Sequence, residues 1–198
     1  LRTVVPGSEA ESRLAKLGIR KPYLICFSSP SPHKNIPALL QAFAMAQEKH
    51  RLMHQLVVVG HLPPGLPIGR DGIRDDSVRV VGYLQDADLS TVVAGAELLV
   101  FPSLYEGFGL PVLEAMSAGV PVICSDRASL PEVAGDAALF FDPTNISEMS
   151  ETLARAVTDR RLRETLREKG RQNVARFSWD RTAAETLNVY RRVLGSGL

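Results

Sequence analysis

The sequence predicts an α/β fold, a Rossmann-like doubly wound parallel sheet of about six strands with a C-terminal helical tail. Three observations predict it. Short runs rich in β-branched and apolar residues recur along the chain, segments of helical spacing separate most of them, and no such run occurs from Ile146 to about Leu194. Runs that are apolar at consecutive positions, joined by helices, describe strands buried on both faces, and hence a parallel sheet covered on both sides.

In chain order, residues 1–21 contain Pro6, Gly7 and Gly18 and start no clear strand, so they read as an interdomain linker with one short helix; residues 22–198 form the folded domain and its tail. Strands are expected at Tyr23 to Ser29, Leu56 to Gly60, Val78 to Leu84, Leu98 to Ser103, Pro121 to Ser125 and Ala138 to Asp142. In "IPALLQAFAMAQEKH", apolar residues recur three and four apart and Pro37 suits a first helical turn. "DADLSTVVAGA" repeats that spacing behind Asp86, an expected N-cap. The tail reads as two or three helices, one capped by Ser147, one by Asp159, and a last one behind Ser178. Trp179 is expected to anchor that last helix on the sheet domain.

Composition sets outer limits on function. Apolar residues make up 45% of the 198 and charged residues 23%, with a net charge of +1, ordinary values for a globular protein that offer no electrostatic footprint for nucleic acid. Cys26 and Cys124 both fall in apolar runs and read as buried thiols in a reducing compartment rather than a disulfide. No apolar run is long enough to cross a bilayer, and no signal peptide opens the chain. This reading places the protein in the cytoplasm, with the inner face of the membrane as a second location. Leu1 at the start and "GSGL" at the end predict a segment of something longer.

In open sheets of this kind, ligands bind beyond the carboxyl ends of the strands. The loop with the most chemistry lies in "SLYEGFGLPVLEAMSAG", Ser103 to Gly119. Pro111 suits the first turn of a helix that Gly119 stops, and Gly107 and Gly109 let the backbone turn sharply and approach a ligand closely. The amides of that turn make an anion site suited to a diphosphate. Glu106 and Glu114, on either side, would repel a phosphate, but each carboxylate offers two acceptors to a vicinal diol. A nucleotide sugar satisfies both demands, with the ribose at Glu114, the donor sugar at Glu106 and the diphosphate between. Plainer readings stay open: Glu106 as a loop acid, Glu114 paired with an arginine, Lys34 as a solvated loop lysine. A hydrolytic carboxylate pair is disfavoured, because the fold presents a phosphate site rather than a sugar cleft. No Asp-x-Asp stretch or histidine spacing indicates a metal, and no cofactor is expected.

"FPSLYEGFGLPVLEAMSAGVPVICSD…SLPEVAGDAALFFDP", together with "PHKNIPALLQAF", "LVVVG", "VRVVGYL" and "FSWDRTAAETLNVY", resembles the retaining glycosyltransferases of the GT-B fold, family 4, from about Tyr23 to Tyr190. The resemblance implies the C-terminal, donor-binding half of such an enzyme, transferring a hexose from a nucleoside-diphosphate sugar to a glycan or lipid-linked acceptor. It implies catalytic roles for Glu106, at the transferred sugar, and Lys34, at the phosphates. Donor binding would fall to Glu114 at the ribose, the Gly107, Phe108, Gly109 and Leu110 backbone at the diphosphate, and Gly82, Tyr83 and Leu84 near the base. Ser28 stands where many members carry a phosphate-binding arginine, so either His33 or Arg127 takes over part of that charge or the site is less cationic than is usual in the family.

The donor leans to GDP-mannose, with a UDP-hexose as rival. The implied partners are the nucleotide sugar and an N-terminal acceptor domain of the same enzyme, through which the protein could reach a membrane surface. Alone, the chain is expected to transfer little or nothing. Alternatives are an epimerase or phosphorylase half of the same fold, or a non-catalytic nucleotide-binding module.

Overall fold

In the computed structural model, which describes residues 7–63, 65–66 and 76–195, the six apolar runs pair into one sheet. Its strands are β1 (Tyr23–Ser28), β2 (Gln55–Gly60), β3 (Val78–Gly82), β4 (Leu98–Phe101), β5 (Val122–Ser125) and β6 (Ala138–Phe141). They lie in the order β3-β2-β1-β4-β5-β6, and every neighbouring pair is parallel. This is the doubly wound order in which the chain builds outward from β1 to one edge and then returns to build the other half from β4.

The pleat sorts each strand between two cores. Tyr23, Ile25, Val57, Val59, Leu99, Phe101, Val122 and Cys124 face one side; Leu24, Cys26, Leu56, Val58, Leu98, Val100 and Ile123 face the other. Successive strand residues point to opposite faces, so a run apolar at every position needs cover on both. Helices α2 (Ile36–His50) and α6 (Ile146–Thr158) bring Leu39, Leu40, Phe43, Met149 and Leu153 to the second face. Helices α1 (Gly7–Lys16), α3 (Asp86–Ala94), α4 (Leu110–Ser117) and α5 (Leu130–Ala134) bring Leu14, Val92, Val112, Met116, Leu130 and Val133 to the first. Each such fully buried aliphatic side chain is worth roughly 1.5–3 kcal/mol. Helix α7 (Arg160–Val174) lies outside α4, where Gly170 packs over the Met116 side chain and Asn173 Nδ2 donates to the Val133 carbonyl at 2.8 Å. Helix α8 (Trp179–Gly195) follows.

The structure moves several expected details. Strands β1, β3, β4 and β6 stop one to two residues earlier than their apolar runs. Asp86 is the first residue of α3 rather than its cap; Gln85 holds the cap position in extended backbone with no side-chain bond. Asn145, not Ser147, caps α6: its side chain accepts from the Glu148 amide at 3.1 Å. Asp159 does cap α7 through the Leu162 amide, and Ser178 Oγ accepts from Arg181 N ahead of α8. Trp179 does not anchor the last helix. It is 75% exposed, and α8 carries no buried residue, so its apolar side chains face outward. Cys26 and Cys124 are buried free thiols. The loop that follows β2, from Gly60 to Asp71, falls partly outside the described residues.

Candidate functional site at the sheet's switch point

Strand order reverses between β1 and β4, and the loops leaving these two strands meet across that point. After β1 the chain makes a short 3₁₀ turn, Pro32–Lys34, closed by Asn35 in the left-handed region (φ 54°). After β4 it runs from Pro102 to Gly109, which enters α4 with φ 108°. The Leu104 amide donates to the His33 carbonyl at 2.8 Å. Asn35 Nδ2 donates to the Pro102 carbonyl at 3.2 Å and the Pro143 carbonyl at 2.8 Å. Across this seam Lys34 Nζ bonds Glu106 Oε1 at 2.7 Å, with side chains only 18% and 14% exposed, and the ammonium lies 5.3 Å from the centre of the Phe101 ring. The family resemblance implied that Lys34 and Glu106 serve one donor; the direct bond between them is what the fold adds.

The glycine loop is held from its other side. Ser129 Oγ, ahead of α5, lies 2.8 Å from the Phe108 carbonyl and 3.0 Å from the Glu106 carbonyl, donating to either. A Cβ on Gly109 would stand 2.8 Å from Leu130 Cδ2, whereas one on Gly107 meets nothing within 4 Å. The first turn of α4 supplies fewer free amides than its position suggests. Pro111 has no N–H, and Val112 N already donates to the Gly109 carbonyl at 3.0 Å. That leaves the backbone amides from Gly107 to Leu110 as the candidate anion donors. Glu114 sits one turn into α4, half buried. Phe108 and Leu110 are partly exposed at the rim, with the Phe108 ring edge-on to Phe177 at 5.8 Å.

The remaining expected residues spread along neighbouring strand exits. Ser28 is buried, and its hydroxyl donates to the His61 carbonyl at 2.7 Å. His61 in turn faces the Tyr83 ring at 4.7 Å, so Gly82, Tyr83 and Leu84 at the end of β3 connect to the β1 exit through β2. His33 is exposed beside Lys34, with Nδ1 2.8 Å from Ser31 Oγ. Arg127 is engaged elsewhere: its guanidinium binds Asp142 at 2.9 Å and Asp126 at 3.1 Å. The Thr144 hydroxyl and amide, with Arg127, hold the Asp142 carboxyl down at about 2.

Sequence reasoning missed Asn35, Ser129 and the short helix α5. The signals were present: asparagine tolerates left-handed backbone, and "SLPEV" places serine before a first-turn proline. Ser103 was also passed over; its hydroxyl is buried without a hydrogen-bond partner among the described residues. Among the described residues no three His, Cys, Asp or Glu side chains gather to hold a metal ion, and no helix is long and apolar enough to cross a membrane. A separate pocket of about 150 Å³, lined in part by Arg20, His54 and Gln55, lies at the amino ends of the strands, away from this site.

A parallel sheet in this order, with a lysine, a glutamate and a glycine loop converging where it reverses, defines a Rossmann-like domain with a candidate ligand site at the switch point. The chain belongs to the glycosyl transferases group 1, whose family pattern matches residues 10–173. It is 38% identical over 173 residues to the O-antigen chain mannosyltransferase B of Escherichia coli, covering 85% of this chain and 45% of that protein. It is 34% identical over 184 residues to the MMP alpha-(1->4)-mannosyltransferase of Mycolicibacterium hassiacum, covering 89% and 44%. The chain thus spans about half the length of the curated relatives it matches.

Among solved structures, sucrose-phosphate synthase from Thermosynechococcus elongatus superposes with a TM-score of 0.76 at 25% identity, over 94% of this chain and 49% of that one. WaaG, a glycosyltransferase involved in lipopolysaccharide biosynthesis, superposes with a TM-score of 0.68 at 24% identity, over 87% and 48%, a likeness of fold.

Proposed function

We propose that this chain is the donor-binding half of a retaining hexosyltransferase that uses a nucleoside-diphosphate sugar, GDP-mannose before a UDP-hexose. The observation that carries the reading is the convergence of Lys34, Glu106 and the Gly107–Leu110 backbone at the sheet's switch point. The mannosyltransferase relatives support the choice of sugar.

In this reading the sugar C1–oxygen bond to the diphosphate breaks with its electron pair passing to the phosphate oxygen. Lys34 and the loop amides stabilise the charge that develops there. A bond forms from C1, on the face the diphosphate leaves, to the acceptor hydroxyl oxygen, whose proton passes to the departing phosphate oxygen. Glu106 holds the transferred sugar and Glu114 accepts from the ribose hydroxyls. The acceptor and the remaining groups around C1 come from a second domain, as the share of the relatives that this chain spans suggests.

The test is transfer by the complete two-domain protein from GDP-mannose and from UDP-glucose, with the product's anomeric configuration read by NMR. Retained configuration with GDP-mannose supports the reading; inversion, or no transfer from any nucleotide sugar, overturns it.

A further inference from the structure

Asn35 directly follows Lys34 and is tied to the fold in four ways. Its amide donates to the Pro32 carbonyl at 3.1 Å, closing the turn that carries Lys34, and its carbonyl accepts from the Leu39 amide at 3.2 Å, opening α2. Its side-chain nitrogen spends one proton on the Pro102 carbonyl and the other on the Pro143 carbonyl. One amide group therefore joins the exits of β1, β4 and β6 at the residue adjoining the lysine. Its φ of 54° lies where asparagine is tolerated and most other side chains are strained. Aspartate would share the shape but present acceptor oxygens to two carbonyls, and alanine would lose both bonds and keep the strain.

We infer that Asn35 is a positioning residue: through its paired bonds to Pro102 and Pro143 it fixes Lys34 against the Glu106 loop, and so sets the affinity for the diphosphate of the donor. The inference rests on the donor-site reading above, but its first test does not need a ligand. In Asn35→Gly the left-handed backbone is relieved and only the side-chain bonds are lost. Amine acylation of the folded 198-residue chain, followed by peptide mass spectrometry, compares Lys34, 18% exposed, with Lys49, 61% exposed, as an internal reference.

The expected result is that Lys34 labels several-fold faster in Asn35→Gly while Lys49 is unchanged and thermal unfolding stays cooperative. Unchanged Lys34 labelling overturns the inference. The second arm titrates GDP and UDP against their parent nucleosides. Asn35→Gly should weaken the diphosphates about tenfold, leave nucleoside binding alone, and add nothing further in a Lys34→Ala background. Equal losses for nucleoside and diphosphate, or a loss that persists undiminished without Lys34, overturn it. Failure of the wild-type chain to bind any diphosphate counts against the donor-site reading, and the labelling arm then decides the role of Asn35 by itself.

Discussion

Lys34 Nζ and Glu106 Oε1 lie 2.7 Å apart, joining the loop after β1 to the loop after β4 at the point where the sheet reverses. In this resting arrangement the cation is neutralised by the acid, so a phosphate must compete with Glu106 for the ammonium. Glu106→Gln is therefore expected to bind a free nucleoside diphosphate several-fold more tightly than wild type, since a carboxylate no longer holds the lysine or repels the anion. The corresponding nucleotide sugar gains less, having lost a sugar contact. Calorimetry with both ligands checks this; weaker binding of the free diphosphate by Glu106→Gln contradicts it.

The two loop glycines should separate folding from binding. Gly109→Ala combines φ 108° with a Cβ 2.8 Å from Leu130 Cδ2, and is expected to cost about 1–3 kcal/mol by denaturant unfolding. Gly107→Ala meets no neighbour within 4 Å and should leave stability within about 0.5–1 kcal/mol of wild type. If the diphosphate crosses the Gly107 backbone closely, Gly107→Ala loses nucleotide affinity while staying folded. Normal affinity in that variant moves the diphosphate off this loop.

Asp142 gives the acid side of stability a definite shape. Its carboxyl is held down at about 2, from an ordinary value of 3.8, by the Thr144 hydroxyl and amide and by Arg127. A depressed carboxylate contributes stability that is complete above its unfolded value and is lost as pH falls through its folded one. The urea midpoint of wild type should thus exceed that of Asp142→Asn at neutral pH, with the gap closing between about pH 4 and pH 2. A gap independent of pH would mean that the charge of Asp142 contributes nothing.

Burial pushes the Cys26 thiol up to about 12 and raises that of Cys124 as well. Neither should react with iodoacetamide in the native chain at pH 8, and both should react once the sheet is unfolded. Native labelling of either would show that β1 or β5 opens far more readily than the full burial of Cys26 and Cys124 implies.

Most of the sheet was legible because a strand buried on both faces leaves a continuous apolar run, as "LVVVG" within β2 shows. Strand order and the meeting of Lys34 with Glu106 were not legible, since 72 residues separate the two and only the crossover brings them together. The helix caps were misread where two candidates stood close. Asn145 outcompeted Ser147 because it alone lies in extended backbone with Glu148 three residues on. Trp179 was misread because an amphipathic pattern tells which face of a helix is apolar, not what covers it. The roles of Asn35 and Ser129 depend on carbonyls distant in sequence, which no local pattern reveals.

The most direct measurement is calorimetric titration of the chain with GDP, UDP and ADP, repeated with Lys34→Ala and Glu114→Ala. The account predicts that one nucleotide binds best, and that each substitution weakens it by about tenfold or more, Lys34→Ala through the phosphates and Glu114→Ala through the ribose. Binding that survives both substitutions unchanged would contradict a donor site at the switch point between β1 and β4.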